Sequence, residues 1–123
     1  MHKPAFKTGR QAIEALPSSL RVGPFDFRID KLSPERAMGK DCFGEFSSCE
    51  GHLALQLDMP SAVKAAETLM HEAGHAIYST FALAEDDKEE RIVAAFATGW
   101  TQVIRDNPWL TEWLKRALPR TLS

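Results

Sequence analysis

Helical spacing of apolar residues is strongest in the middle of the chain. The run before residue 71 carries them at Ala62, Val63, Ala65, Ala66, Leu69 and Met70. The apolar character returns immediately after residue 75, at Ala76, Ile77 and Tyr78. Ser61 precedes the run, and serine is a preferred N-cap because its side-chain oxygen accepts a hydrogen bond from a free backbone amide. The pattern therefore predicts a helix from about Ser61 to Phe81.

The segment Leu20–Leu32 has a different period. Phe25, Phe27 and Ile29 alternate with polar residues and so point to one face, which is typical of a strand. Gly23 and the proline after it are expected to bend the start of this strand.

Two shorter runs, Phe43–Phe46 and His52–Leu57, flank the turn-forming residues 47–51 and predict a β-hairpin. In the second run, the leucines face one side, and the other side carries His52, Ala54 and Gln56. If this strand were a sheet edge, an extended peptide could pair with it, which makes these three residues candidate substrate contacts. The alternative is an ordinary core strand.

Three more helices are expected, over Gly9–Leu16, from Glu85 to Asp106, and over Pro108–Leu118. Tryptophans 100, 109 and 113 fall at core spacing within the last two. The order of elements predicts an α+β fold, with a small sheet and hairpin packed against the central helix and two further helices behind it. Residues 1–123 are long enough for one domain, and residues 1–8 are expected to be flexible.

The central helix contains His71-Glu72-Ala73-Gly74-His75, which has the form H-E-x-x-H. Histidines four apart on a helix differ by about 40° around its axis, so both imidazoles can hold one zinc ion. Zinc lowers the pKa of a water molecule, and Glu72 is placed to take its proton. The surrounding residues are mostly apolar, so we expect the histidines to be buried, where a metal would satisfy them.

A catalytic zinc takes three protein ligands, so a third is needed. The candidates are His2, His52, Glu85, Asp86, Asp87, Glu89 and Glu90. An inward stripe is expected along the later helix, through Val93, Phe96, Ala97, Trp100 and Ile104. One turn further back, this stripe reaches Glu89 and Glu90. Spacing gives a slight lead to Glu90, and solvated charges at the helix start are the alternative.

Composition limits the function classes. The chain has 123 residues, 44% hydrophobic and 26% charged, with a net charge of −2. This balance does not favour nucleic-acid binding, and no apolar run is long enough for a membrane span. The basic N-terminus lacks the apolar core of a signal peptide, so a cytoplasmic location is expected. Cys42 and Cys49 are then free thiols, although with His52 they also form a partial metal-ligand pattern.

The segment Thr68–Ala76 resembles the active-site helix of the small gluzincin-like metallopeptidases of phages and mobile elements, the ImmA/IrrE type. In that group, a later helix carries a glutamate, then an aliphatic residue, then Phe-Ala, and here Glu90, Val93, Phe96 and Ala97 match. The resemblance spans roughly residues 20–108. It implies a zincin-like fold with Glu90 as the third zinc ligand. The chain lacks the helix-turn-helix and zinc ribbon of longer relatives.

Three further residues are weaker candidates. Tyr78 is seven positions after His71 and returns to nearly the same helix face, where it can stabilise an oxyanion. Its alternative role is core packing. Glu67 or Asp106 can orient a ligand histidine through its second ring nitrogen.

The expected function is hydrolysis of peptide bonds by one zinc ion per chain, with Glu72 as general base. The expected partner is a peptide or protein substrate, with no nucleic acid and no membrane, and with the oligomeric state open. The main alternative is a catalytically silent module that binds a repressor or host factor. A hydrolase of another bond is a third possibility.

Overall fold

The computed structural model describes residues 3–33, 43–81 and 89–120, without the side chains of Glu89 and Glu90. Four helices and four strands occupy the described residues, in the order α1 (Gly9–Glu14), β1 (Ser19–Val22), β2 (Phe25–Leu32), β3 (Gly44–Ser47), β4 (His52–Gln56), α2 (Ala62–Thr80), α3 (Glu89–Asp106) and α4 (Trp109–Ala117). The fold is α+β, which confirms the predicted class.

The described strands form one sheet in the order β1-β2-β4-β3. Strand β2 pairs antiparallel with β1 and parallel with β4, while β3 and β4 form the predicted hairpin. The strand predicted over Leu20–Leu32 is two strands, because the chain reverses at Gly23, whose φ of +56° suits glycine. Gly51, at φ +67°, turns the hairpin.

Strand β4 lies inside the sheet, between β2 and β3. The edge position considered for it is therefore wrong, and peptide pairing at this strand has no free edge to use. His52, Leu53, Ala54 and Leu55 are all buried. The alternating pattern did not reveal this, because it indicates to which face of the sheet each side chain points and not which strands lie on either side. The parallel pairing of β4 with β2 joins residues that are far apart in the sequence. The described edge on this side of the sheet is β3.

Helix α2 covers one face of the sheet. Ser61 caps it by accepting a hydrogen bond from the Lys64 amide at 3.0 Å, as predicted. Its inward face is built mainly of small residues, which let it lie close to the strands: Ala65, Ala66, Leu69, Ala73, Ala76 and Ile77. The helix and the sheet approach closely at Gly44 in β3, where a Cβ would lie 2.8 Å from Thr68 Cγ2. A side chain at position 44 would push the edge strand away from the helix.

Helix α3 packs on α2 through Gly99. A Cβ at position 99 would lie 2.6 Å from Ile77 Cγ2, so the contact depends on glycine. Val103 is fully buried, whereas Val93 is 59% exposed and Ile104 is 45% exposed. Of the predicted inward stripe, Phe96 and Trp100 are partly buried against the core, whereas Val93, Ala97 and Ile104 are exposed, so the prediction is wrong for these three. The stripe was based on apolar side chains, whereas α3 approaches α2 on the side of Gly99, which has none.

The N-terminal residues and α4 close the core at the other end of α2. Trp113 donates a hydrogen bond from Nε1 to the Ala12 carbonyl at 2.8 Å, and its ring packs on Phe6. The Phe6 amide bonds the Arg116 carbonyl at 2.9 Å. Residues 3–8, expected to be flexible, therefore make packed and hydrogen-bonded contacts. None of the helices in the described residues is long and apolar enough to cross a membrane.

Candidate metal centre

The two motif histidines lie together on the outer margin of α2. Their Nε2 atoms are 3.2 Å apart, and the rings meet edge to face with centroids 4.8 Å apart. Both side chains are exposed. The expectation that they are buried is wrong, because the alanine-rich face of α2 turns inward and leaves His71 and His75 beside a surface groove.

The spacing of the two nitrogens fits a shared metal. Two zinc–nitrogen bonds of ordinary length, meeting at a tetrahedral angle, place their nitrogens about 3.3 Å apart. The observed 3.2 Å between the Nε2 atoms of His71 and His75 agrees with this value. The pair can therefore supply two of the ligands of a zinc ion without rearrangement.

The edge strand holds one of these rings in place. Phe46 of β3 stacks on the His75 imidazole, with centroids 6.5 Å apart and planes 12° apart. Phe46 is in turn opposite Leu53 of β4, so it sits on the α2 side of the sheet. Sequence reasoning missed Phe46, although its place in the predicted hairpin next to the active helix was visible.

Glu72 differs from its histidine neighbours in being buried, with only 7% of its surface exposed. Its carboxylate makes no hydrogen bond or ion pair with another described residue. Burial raises the pKa of Glu72, and the nearby charge of Glu45 raises it further, while His71 and His75 oppose the shift. Burial disfavours the charged form of a carboxylate, so Glu72 takes up a proton more readily than an exposed glutamate does.

A groove of about 340 Å³ runs beside the motif, between β3 and the first turns of α2. Its lining includes Phe43, Gly44, Lys64, Glu67, His71 and Glu72. Lys64 Nζ lies 5.5 Å from the centre of the Phe43 ring and 3.8 Å from a Glu67 oxygen. Sequence reasoning missed Phe43 and Lys64. Helical spacing could have found Lys64, which is seven residues before His71 and shares its face.

His52 belongs to a different cluster, on the opposite face of the sheet. It immediately precedes Leu53, whose side chain faces α2, and strand side chains alternate between faces. His52 Nδ1 lies 2.8 Å from Asp30 Oδ2, and Nε2 lies 3.4 Å from Glu50 Oε2. Arg28 bonds Asp30 at 2.9 Å. His52 is therefore tied into a network with ionic partners and is separated from the motif by the sheet.

Ala54 and Gln56 are the other two candidate substrate contacts. Both lie in β4, and their side chains point to the same face of the sheet as that of His52. Ala54 is fully buried. Their expected role required a free edge on β4, which the strand order does not provide.

The structure gives no side-chain position for the two leading candidates for the third metal ligand, Glu89 and Glu90. The side chains of Glu89 and Glu90, together with His2, Glu85, Asp86 and Asp87, lie outside the described residues, as does Cys42. Within the described part, no three His, Cys, Asp or Glu side chains group to hold a metal. Counted along α3 at about 100° per residue, position 89 lies about 40° from the buried Val103, whereas position 90 lies about 20° from the exposed Ala97 and about 40° from the exposed Ile104.

The remaining candidates take ordinary positions. Tyr78 is half-buried in α2. Glu67 pairs with Lys64, and Asp106 is held by Arg105 at 3.1 Å and Gln102 at 3.0 Å, contacts that lower its pKa. Cys49 is a free, exposed thiol. The contacts of Glu67 and Asp106 are thus to these residues and not to the motif histidines.

Comparison of the chain with protein-family models, with curated proteins and with solved structures finds no match.

Proposed function

We propose that this chain is a zinc-dependent metallopeptidase of the H-E-x-x-H class. One observation carries the proposal: Glu72, a largely buried residue at the groove, adjoins two histidines whose Nε2 atoms are spaced for one metal ion. We call the opposite face of the sheet, which carries His52, the far face. In the His52 cluster there, the histidine and the carboxylates are partners of one another. The arrangement around Glu72 has the donor set that zinc prefers in hydrolytic sites.

His71 and His75 would hold the metal through their Nε2 atoms. The third ligand is proposed to be a carboxylate at the start of α3. The resemblance to ImmA/IrrE-type peptidases favours Glu90, while the register of the buried face of α3 favours Glu89. One zinc ion per chain is expected in either case.

When bound, zinc would polarise the substrate carbonyl and make a water molecule easier to deprotonate. Glu72 would accept the proton of that water and pass it to the leaving amine. Burial raises the pKa of Glu72 in the metal-free chain, and a bound cation would lower it, so the carboxylate would be charged and able to accept the proton. Stacking on Phe46 would keep the His75 ring in orientation during the reaction.

The substrate is proposed to be an extended peptide segment. Among the described strands, β3 is the outermost one beside the groove, so the segment is proposed to lie along the groove between β3 and α2. The proposal includes a cytoplasmic location, with which the free Cys49 thiol agrees.

The test is peptide hydrolysis by the zinc-loaded chain and by Glu72→Gln. We expect the variant to keep its zinc and to lose hydrolysis by about 100-fold or more, since general acid–base catalysis contributes at least that much. Asp30→Asn is the matched control, because it neutralises a carboxylate beside a histidine on the far face. It should retain the wild-type rate.

Equal hydrolysis by wild type and Glu72→Gln would contradict the mechanism. Zinc binding without hydrolysis of any peptide, amide or ester would leave a catalytically silent binding module as the better account.

A further inference from the structure

A second cavity lies on the other side of the histidine pair from the groove. It measures about 410 Å³, and its lining includes Phe25, Phe27, Ser48, Gly51, Ser79 and Thr80. We call it the aromatic pocket. It is formed where the start of β2 and the hairpin turn meet the end of α2.

Two sets of residues lead from the histidine pair to the pocket. On α2, His71, His75 and Ser79 follow one another at four-residue steps, so they share one stripe of the helix. On the sheet, aromatic rings lead from the motif to the pocket: Phe46 stacks on His75, lies 5.5 Å from Phe27, and Phe27 lies 6.1 Å from Phe25. The groove and the aromatic pocket therefore lie along the same side of α2, one on each side of the histidine pair.

The distances match an extended peptide. Ser79 is four residues beyond His75, which is about 6 Å along the helix and equals about two residues of extended chain. From Glu67 in the groove to Ser79 is about 18 Å, or about five residues. Side chains of an extended peptide return to the same face every second residue, so a bond held at the histidines places a side chain at the pocket.

The lining favours an aromatic occupant. Phe25 is 52% exposed, although it is a large apolar residue. It meets Phe27 edge to face, at 65° between planes, and its free surface can pack against a further ring in the same way. The serines at the rim are small and neutral, so the pocket carries no charge that would prefer an ionic side chain except Asp26 at its edge.

Thr80 provides a further sign that this wall is not fully satisfied. Thr68 and Thr101 each donate a hydroxyl hydrogen bond to the carbonyl four residues earlier, at 2.7 Å. The Thr80 hydroxyl is buried and has no such partner among the described residues. A buried polar atom left unpaired in a pocket wall costs stability, and natural folds keep few of them.

We propose that the aromatic pocket is a specificity subsite that takes a phenylalanine, tyrosine or tryptophan side chain of an extended peptide substrate, about two residues from the bond to be cleaved. This inference rests on the proposed peptidase function. It extends that function by naming the substrate class.

The test uses binding instead of turnover. The nitrogen-15-labelled full chain is titrated with N-acetyl-phenylalaninamide and, separately, with N-acetyl-alaninamide. We expect saturable shifts of the Gly51, Ser79 and Thr80 amides with the first probe only, with a Kd on the order of millimolar because the probe is small. Equal shifts with both probes, or none at these amides, would overturn the inference.

Two variants localise the site. Phe25→Ala should weaken binding of the phenylalanine probe about five-fold, the usual worth of an aromatic pair. Val63→Ala is the matched control, since Val63 is an equally exposed apolar residue at the far end of α2, and it should bind as wild type. Ser79→Glu, at an exposed position, adds a carboxylate to the rim and should also weaken binding. Unchanged binding by both pocket variants would contradict the assignment.

Zinc content and Glu72-dependent hydrolysis, measured on the same protein, separate the two proposals. If zinc is bound and peptides are cleaved without preference for aromatic residues, the inference fails and the peptidase function stands. If the probe binds but neither zinc nor cleavage is found, the peptidase function fails, and the role of the pocket as a subsite fails with it.

Discussion

The two faces of the sheet each bring histidine and carboxylate side chains together, with opposite outcomes. On the far face, His52 lies against Asp30 and Glu50, and Arg28 bonds Asp30. On the α2 face, His71 and His75 have each other, and the buried Glu72 has no hydrogen-bond donor among the described residues. The far face is a network of ion pairs, and the α2 face carries the residues that we propose to hold a metal ion.

The contrast is also electrostatic. The hydrogen bond from Arg28 lowers the pKa of Asp30, and the bond with His52 lowers it further against the effect of burial. Burial raises the pKa of Glu72. One carboxylate is therefore stabilised in its charged form by the fold, and the other is destabilised. Groups kept in an unfavourable charge state are concentrated at functional sites.

The largest effect on zinc affinity is expected from residues at the start of α3, because the third metal ligand is proposed to lie there. Of the variants Glu89→Ala and Glu90→Ala, one should lower zinc affinity by about 100-fold and the other should leave it unchanged, because removal of a ligand leaves an incomplete site. Metal titration with a chromogenic competitor measures both. Loss in Glu90→Ala would support the family resemblance, and loss in Glu89→Ala the helix register. Retention of full affinity in both would refute a ligand from this helix.

On the far face, Asp30→Asn should lower the free energy of unfolding by about 1–2 kcal/mol near neutral pH, the worth of hydrogen bonds to a charged group. Because the pKa of Asp30 is lowered in the fold, its contribution is present above the pKa of the unfolded chain and is lost as the pH falls. The loss in free energy of unfolding caused by Asp30→Asn should therefore become smaller as the pH is lowered. Urea denaturation across pH measures it, with the exposed Asp26→Asn as control. A cost independent of pH would contradict this origin.

On the α2 face, Glu72→Gln should change the free energy of unfolding in the opposite direction. Because the pKa of Glu72 is raised in the fold, stability falls as pH rises from the ordinary glutamate range through the raised value. The substitution should therefore stabilise the zinc-free chain near neutral pH, with the gain vanishing below the ordinary glutamate pKa. The same urea experiment, in the presence of a chelator, measures it. A loss of stability at neutral pH would mean that the Glu72 carboxylate is satisfied after all.

The contrast between the faces was only half visible in the sequence. Helix α2 and its cap at Ser61 were predictable, because one long segment keeps a single period and its start signal is local. The hairpin was predictable for the same reason. The closeness of the two imidazoles follows from four-residue spacing alone.

The rest depended on contacts between distant residues. The place of His52 on the far face follows from the parallel pairing of β2 with β4, which no local pattern contains. The rotation of α3 follows from the contact of Gly99 with Ile77, where the informative feature is an absent side chain. Exposure of His71 and His75 follows from which face of α2 carries the alanines and meets the sheet. Hydrophobic periodicity identified the elements better than it identified their neighbours.

The most direct test of the contrast is the zinc content of the purified chain, measured by elemental mass spectrometry on wild type, His75→Ala and His52→Ala after loading and desalting. The account predicts about one zinc per chain in wild type and in His52→Ala, and little or none in His75→Ala. No zinc in wild type, or loss of zinc in His52→Ala with retention in His75→Ala, would contradict the assignment of the metal centre to α2.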